Sequence, residues 1–130
     1  MNFPENLKYT KSHEWVRQEG DKCVVGITEY AQKELSDVVY VELPKADQEV
    51  KQAGAVCIVE SVKAAFDIYA PISGKVLETN GQVETDPSLV NQDPYGEGWF
   101  FSLSASDVSE LETLMSNTEY EQMLAQETKS

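Results

Sequence analysis

Punctuation constrains this chain more than any other feature of its sequence. Short runs rich in Val, Ile, Phe, Tyr and Trp occupy 14–18, 22–27, 38–43, 55–61, 64–69, 75–78 and 99–103. Between them lie turn-forming clusters: Glu19-Gly20-Asp21, Pro44, Gly54, Pro71-Ile72-Ser73-Gly74, Asn80-Gly81 and Asp93-Pro94-Tyr95-Gly96. Segments this short and this regularly interrupted predict strands, and the spacing predicts a mainly β fold of the barrel or sandwich type. Two stretches depart from it. Thr28 is placed to cap a helical turn over 29–35, where Tyr30, Ala31 and Leu35 recur at helical spacing before Ser36-Asp37 ends it. In the tail, Val108, Leu111, Leu114 and Met115 form one apolar stripe behind a Ser106/Asp107 start, and Tyr120, Met123 and Leu124 form a second. The expectation is one domain over 1–130. Its β core spans about 7–104, two short amphipathic helices fill 105–126, and residues 126–130 fray.

Composition narrows the partners. Ten Lys plus Arg face twenty-three Asp plus Glu, for a net charge of −13. A surface this negative is repelled by phosphate backbones and anionic leaflets, so neither nucleic acid nor a membrane is expected as partner. The longest apolar runs, such as 55–59, are far below the roughly 20 residues of a span. No basic residue stands between Lys75 and Lys129. That stretch reads as a solvated acidic surface or, alternatively, as a docking face for basic proteins. Cys23 and Cys57 lie apart, without metal-ligand spacing or a Cys/His cluster, and read as small reduced core residues.

Little in the sequence suits catalysis or metal binding. A single histidine, His13, would have to serve any Ser-His-Asp or Cys-His machine, and no G-x-S-x-G elbow accompanies it. Beside Trp15 it reads as a hydrogen-bonded packing residue. Tyr95-Gly96-Glu97-Gly98-Trp99 has turn glycines but no lysine or following helix, which makes it a loop entering the last strand and not a phosphate cradle. What remains is Lys63, between two β-rich runs of similar length. The second run alternates Ala64, Phe66, Ile68 and Ala70 inward against Ala65, Asp67 and Tyr69 outward, so Lys63 falls at or beside the tip of a hairpin.

Glu60-Ser61-Val62-Lys63-Ala64, followed by Asp67-Ile68-Tyr69-Ala70-Pro71 and Ser73-Gly74-Lys75-Val76, resembles the lipoyl-attachment region of the H proteins of the glycine cleavage system. The resemblance continues in order and spacing through 9–16, 25–32, 35–44 and 89–99, covering the chain from about Leu7 to the tail. Ser36 stands where that family is expected to have Gly, and Gln82-Val83 departs slightly from its usual loop. Biotinyl domains, by contrast, place Met on both sides of the lysine, where this chain has Val62 and Ala64. Lipoyl domains of 2-oxoacid dehydrogenases place Asp before it and carry Pro/Ala-rich linkers.

The resemblance implies a barrel-sandwich hybrid fold and lipoic acid joined by an amide to Lys63. It implies a carrier, not an enzyme, shuttling the aminomethyl group of glycine between partners. These are a pyridoxal-phosphate glycine decarboxylase, a tetrahydrofolate-dependent aminomethyltransferase and dihydrolipoyl dehydrogenase, with a lipoate-attaching enzyme upstream. A loaded arm gains from a cleft that excludes water and offers a carboxylate to its amine, for which Ser12, Glu14 and Asp67 are the candidates. With no Arg/Ser-rich transit segment near Met1, a bacterial cytoplasmic location is expected over the mitochondrial matrix. Two alternatives stay open: a relay passing lipoyl or octanoyl groups to other enzymes, and a non-carrier acidic β-domain for protein interaction.

Overall fold

The computed structural model describes residues 1–128. Among the described residues, nine strands form two antiparallel sheets. The larger has six strands: β1 (Lys8–Tyr9), β2 (Glu14–Glu19), β3 (Lys22–Ile27), β5 (Glu49–Val50), β8 (Gly74–Thr79) and β9 (Phe101–Ala105), in the order β1-β2-β3-β9-β8-β5. The smaller, ordered β4-β6-β7, is built from β4 (Val38–Glu42), β6 (Ala55–Ser61) and β7 (Ala65–Tyr69). Helix α1 (Glu29–Leu35), the short helices α2 (Gly81–Thr85) and α3 (Ser88–Gln92), a 3-10 segment (Val108–Thr113) and α4 (Asn117–Thr128) complete the chain.

Strand β3 shows how the fold is layered. Its residues Cys23 to Ile27 are all buried, because the large sheet is covered on both faces. Cys23, Val25 and Ile27 enter the main core with Val41, Val59, Ile68, Ile72 and Phe101. Val24 points the other way, into a second cluster with Leu7, Tyr9, Trp15, Tyr120 and Leu124 of α4. Period-two alternation therefore feeds two cores, and a run buried on both faces reads as continuously apolar. Both cysteines are free and buried, as the sequence predicted. No described helix is long and apolar enough to cross a membrane.

Thr28 caps α1 as expected, accepting from Ala31 N. Several boundaries differ. The last long strand starts at Phe101 instead of Trp99, and β7 at Ala65 instead of Ala64. Phe66 is not inward: it is 46% exposed, although its partner Val59 is fully buried, and of the four residues expected inward along the second run only Ile68 and Ala70 are buried. The first tail helix is a 3-10 segment, in keeping with apolar positions 108, 111 and 114 recurring every three residues. Of these Val108 is exposed and Leu111 buried. The expected fraying from Gln126 is overturned as far as Thr128, since α4 continues to that residue; Lys129 and Ser130 lie outside the described residues. Helices α2 and α3 were not anticipated. Asn80 caps the first through Gln82 N, and its Val83 is fully buried.

Candidate carrier site

Lys63 sits where β6 turns into β7. Glu60 pairs with Ala65, leaving Ser61 to Ala64 as the turn. Ser61 N donates to Ala64 O at 2.9 Å, and Ser61 Oγ, nearly buried, accepts from Lys63 N at 3.1 Å and Ala64 N at 3.3 Å. One serine hydroxyl thus satisfies the two turn amides that the ladder cannot reach. Val62 N donates to Asp37 O at 3.0 Å, fastening the tip to the start of β4. Lys63 itself is exposed and takes part in no ion pair among the described residues. The backbone of the tip is held and the side chain is exposed.

Glu14 opens β2 and is 1% exposed. Its Oε1 accepts from Thr10 Oγ1 at 2.5 Å and Ser12 Oγ at 2.6 Å, and its Oε2 accepts from Tyr69 N at 3.2 Å. The last bond crosses from the large sheet to the small one. Burial raises its pKa, and the Ser12, Thr10 and Tyr69 hydrogen bonds partly offset that rise. No cation pairs with this carboxylate among the described residues. Glu14 is therefore a buried, fully engaged carboxylate and not a solvated strand residue.

Ser12 does not alternate along a strand with Glu14. It lies in the turn before β2 and reaches the carboxylate from there. This turn places His13 at φ 75° and closes with Thr10 N to Glu14 O at 3.0 Å. His13 is a packing residue, as its sequence context suggested: its Nδ1 lies 2.8 Å from Tyr120 Oη, and its ring contacts Tyr30 and Tyr120. Burial lowers its pKa.

Asp67, exposed on β7 opposite Ile58, borders a groove of about 260 Å³. One wall is the turn with Ser12 and His13, the other is α1 with Tyr30, Ala31 and Leu35, and Phe66 and Ile68 line it from the hairpin. Glu14 borders a separate groove of about 500 Å³ that also includes Tyr69 and Met115. Ser12 is common to both. The structure thus joins Ser12 to Glu14 directly and Ser12 to Asp67 along one groove. It shows no bond between Glu14 and Asp67 among the described residues. Thr10, Thr28 and Tyr120 belong to this region too. Thr28 was legible as a helix cap, whereas Tyr120 looked like one more apolar-stripe residue.

A β scaffold that presents one lysine on a locked hairpin tip, while its only histidine is engaged in packing, belongs to the class of carrier proteins. The comparisons agree and are specific. The family model for the glycine cleavage H-protein matches residues 7–127. Glycine cleavage system H proteins of Halothermothrix orenii and Thermus thermophilus are each 51% identical to this chain, over 124 and 127 residues. Those alignments cover 95% and 98% of it, and 97% and 99% of the relatives. The crystal structure of a glycine cleavage system H protein from Mycobacterium marinum superposes with a TM-score of 0.88 at 34% identity, covering 95% of this chain and 99% of that one. The chain belongs to the glycine cleavage H-protein family. It is a lipoyl carrier of the glycine cleavage system, a component that works with enzymes and is not one by itself.

Proposed function

We propose that Lys63 is the residue of this chain that takes lipoic acid, and that the acylated lysine shuttles the aminomethyl group of glycine from a pyridoxal-phosphate glycine decarboxylase to a tetrahydrofolate-dependent aminomethyltransferase. Dihydrolipoyl dehydrogenase and a lipoate-attaching enzyme complete the partner set, in a bacterial cytoplasm, in keeping with the bacterial sources of the relatives. The observation that carries this reading is the free amine on a fixed four-residue turn. When bound, the lipoyl group supplies a dithiolane that accepts the one-carbon unit and is reoxidised afterwards. Everything else falls to the chain's own residues.

The groove beside α1 fits such an arm. Its apolar walls, Ile27, Ala31, Leu35, Phe66 and Ile68, suit a hydrocarbon chain. Asp67 lies four residues from Lys63, roughly 13 Å at strand rise, within reach of a lysine stem lengthened by an eight-carbon acyl chain. Asp67 and Ser12 at this groove, with Glu14 behind Ser12, offer a carboxylate and a hydroxyl to a cationic amine. Glu14 does not line this groove; its buried carboxylate, held by three neutral donors, acts there through Ser12, whose hydroxyl it fixes.

The test is intact-mass and peptide mass spectrometry on protein from cells supplied with lipoate. The expected result is a lipoyl increment confined to the Lys63 peptide and abolished by Lys63→Arg, which keeps the charge and removes the acylatable amine. Absence of any acylation with a competent ligase present refutes the reading, and an octanoyl increment moves it to the relay role. Release of the one-carbon unit to water should be faster in Ser12→Ala, Glu14→Ala and Asp67→Ala; unchanged rates in all three remove the groove assignment.

A further inference from the structure

We propose that Tyr120, on the C-terminal helix, is a positioning residue that sets the width of the arm groove; this rests on the assignment of that groove to the acylated arm. The two walls of the groove are weak elements taken singly. The turn carrying Ser12 places His13 at φ 75°, left-handed backbone that a residue with a Cβ adopts only at some cost. Helix α1 has seven residues, too few to be stable without tertiary support. Thr28 N donates to His13 O at 3.0 Å and joins them once. Tyr120 joins them again, with its Oη 2.8 Å from His13 Nδ1 and 2.8 Å from Thr28 Oγ1.

One order of protons satisfies every group. Thr28 Oγ1 already accepts from Ala31 N, so its proton goes to Tyr120 Oη, and the Tyr120 proton goes to His13 Nδ1. The reverse order leaves the hydroxyl proton of fully buried Thr28 without an acceptor. His13 is then neutral with its proton on Nε2, in keeping with the lowering of its pKa by burial. The hydroxyl that holds both walls is itself fixed. Tyr120 is fully buried, stacked on Tyr9 at 4.8 Å between ring centroids and met edge-on by Phe3 at 5.3 Å. The groove is thereby referenced to α4, which lines none of it.

Tyr120→Phe keeps the ring and its stacking and removes only the bridge. In the unacylated protein, amide exchange at Glu14, Thr28 and Ala31 should accelerate about five- to tenfold more than that of β3–β9 partners such as Val25 and Phe101, which report only the loss of global stability. In the acylated, loaded protein, release of the one-carbon unit should accelerate several-fold. Leu124→Ala is the control, since it weakens the same cluster and leaves the hydroxyl in place. The role is overturned if Tyr120→Phe leaves those amides unchanged. It is equally overturned if Leu124→Ala, at equal loss of global stability, produces the same local acceleration. Faster release in Ser12→Ala and Asp67→Ala but not in Tyr120→Phe refutes the positioning role alone. Unchanged release in all of them refutes the arm groove itself.

Discussion

Ser36 closes α1 with φ 64° and ψ −148°, at the edge of a backbone region essentially reserved for glycine, where a residue with a Cβ loses about 1–3 kcal/mol. Its amide donates to Lys33 O at 3.3 Å and its carbonyl accepts from Asn91 Nδ2 at 2.8 Å. Its hydroxyl makes no hydrogen bond among the described residues, so Ser36→Gly removes strain and no contact. Against that gain stands about 0.5–1 kcal/mol of extra chain entropy that glycine loses on folding. The net expectation is stabilisation by about 1 kcal/mol. In urea this raises the midpoint by roughly 0.5 M, for a slope of about 2 kcal/mol per molar that should itself stay constant. Ser36→Ala keeps the strain and should leave the midpoint where it was. If alanine matches glycine, or if glycine lowers the midpoint, the strain is not there and the reasoning fails. Ser36 links the Leu35 wall of the groove to Asp37, whose carbonyl holds Val62 at the lysine turn, so the proposed function would feel the change.

Acid should weaken the fold through His13. Its pKa is lowered in the folded state, so the unfolded chain binds more protons and stability falls as pH drops from about 6.5 through the folded value, by at most about 1.4 kcal/mol per pH unit. Glu14 acts in the opposite sense, since burial raises its pKa and the fold gains stability as pH falls through that raised value towards 4.5. Urea midpoints against pH should show a His13 limb that disappears in His13→Asn, a residue that tolerates positive φ; a limb that persists there assigns it elsewhere. Gly74→Ala should destabilise by about 2 kcal/mol or more in the same assay, because a Cβ would collide with Ser104 O in the β8–β9 ladder; a smaller loss means the strands part easily. Cys23 and Cys57, both buried with raised pKa values, should react with a disulfide reagent only on unfolding, and labelling of the native protein would show that the core opens.

Much of this was legible in the chain, for physical reasons. Strands announce themselves through local alternation and turns, which is why β3 and β6 coincide with their sequence limits. The lysine tip is also a local object, made by Ser61 and the register of its own hairpin. What escaped depends on distance. Strands β1 and β5 are two residues each and are defined by remote partners, β2 and Met115 for the first and β8 for the second. Helices α2 and α3 are five residues each, too short to leave a periodic signal. The acidic run resolved in part into local work that neither solvation nor docking describes. Asp107 caps Ser109 N, Glu119 accepts from Ser116 N, and Glu110 binds both the amide and the hydroxyl of Ser73. The burial of Glu14 required β7 to arrive from 55 residues away, and the Tyr120 bridge spans 107.

That division between local and remote assembly bears on how the carrier works. The attachment turn is closed by Ser61 and fastened by Asp37, so it forms wherever β4, β6 and β7 form. The groove needs those strands and also the 10–14 turn, α1 and the C-terminal helix, joined by a handful of hydrogen bonds among otherwise weak elements. Loosening α4 should therefore expose a loaded arm to water well before it hides the lysine from an attaching enzyme. On the proposed assignment, acylation would read the hairpin alone, whereas protection of the carried group would read the whole fold. A change far from Lys63 in sequence can then abolish the second property and leave the first in place.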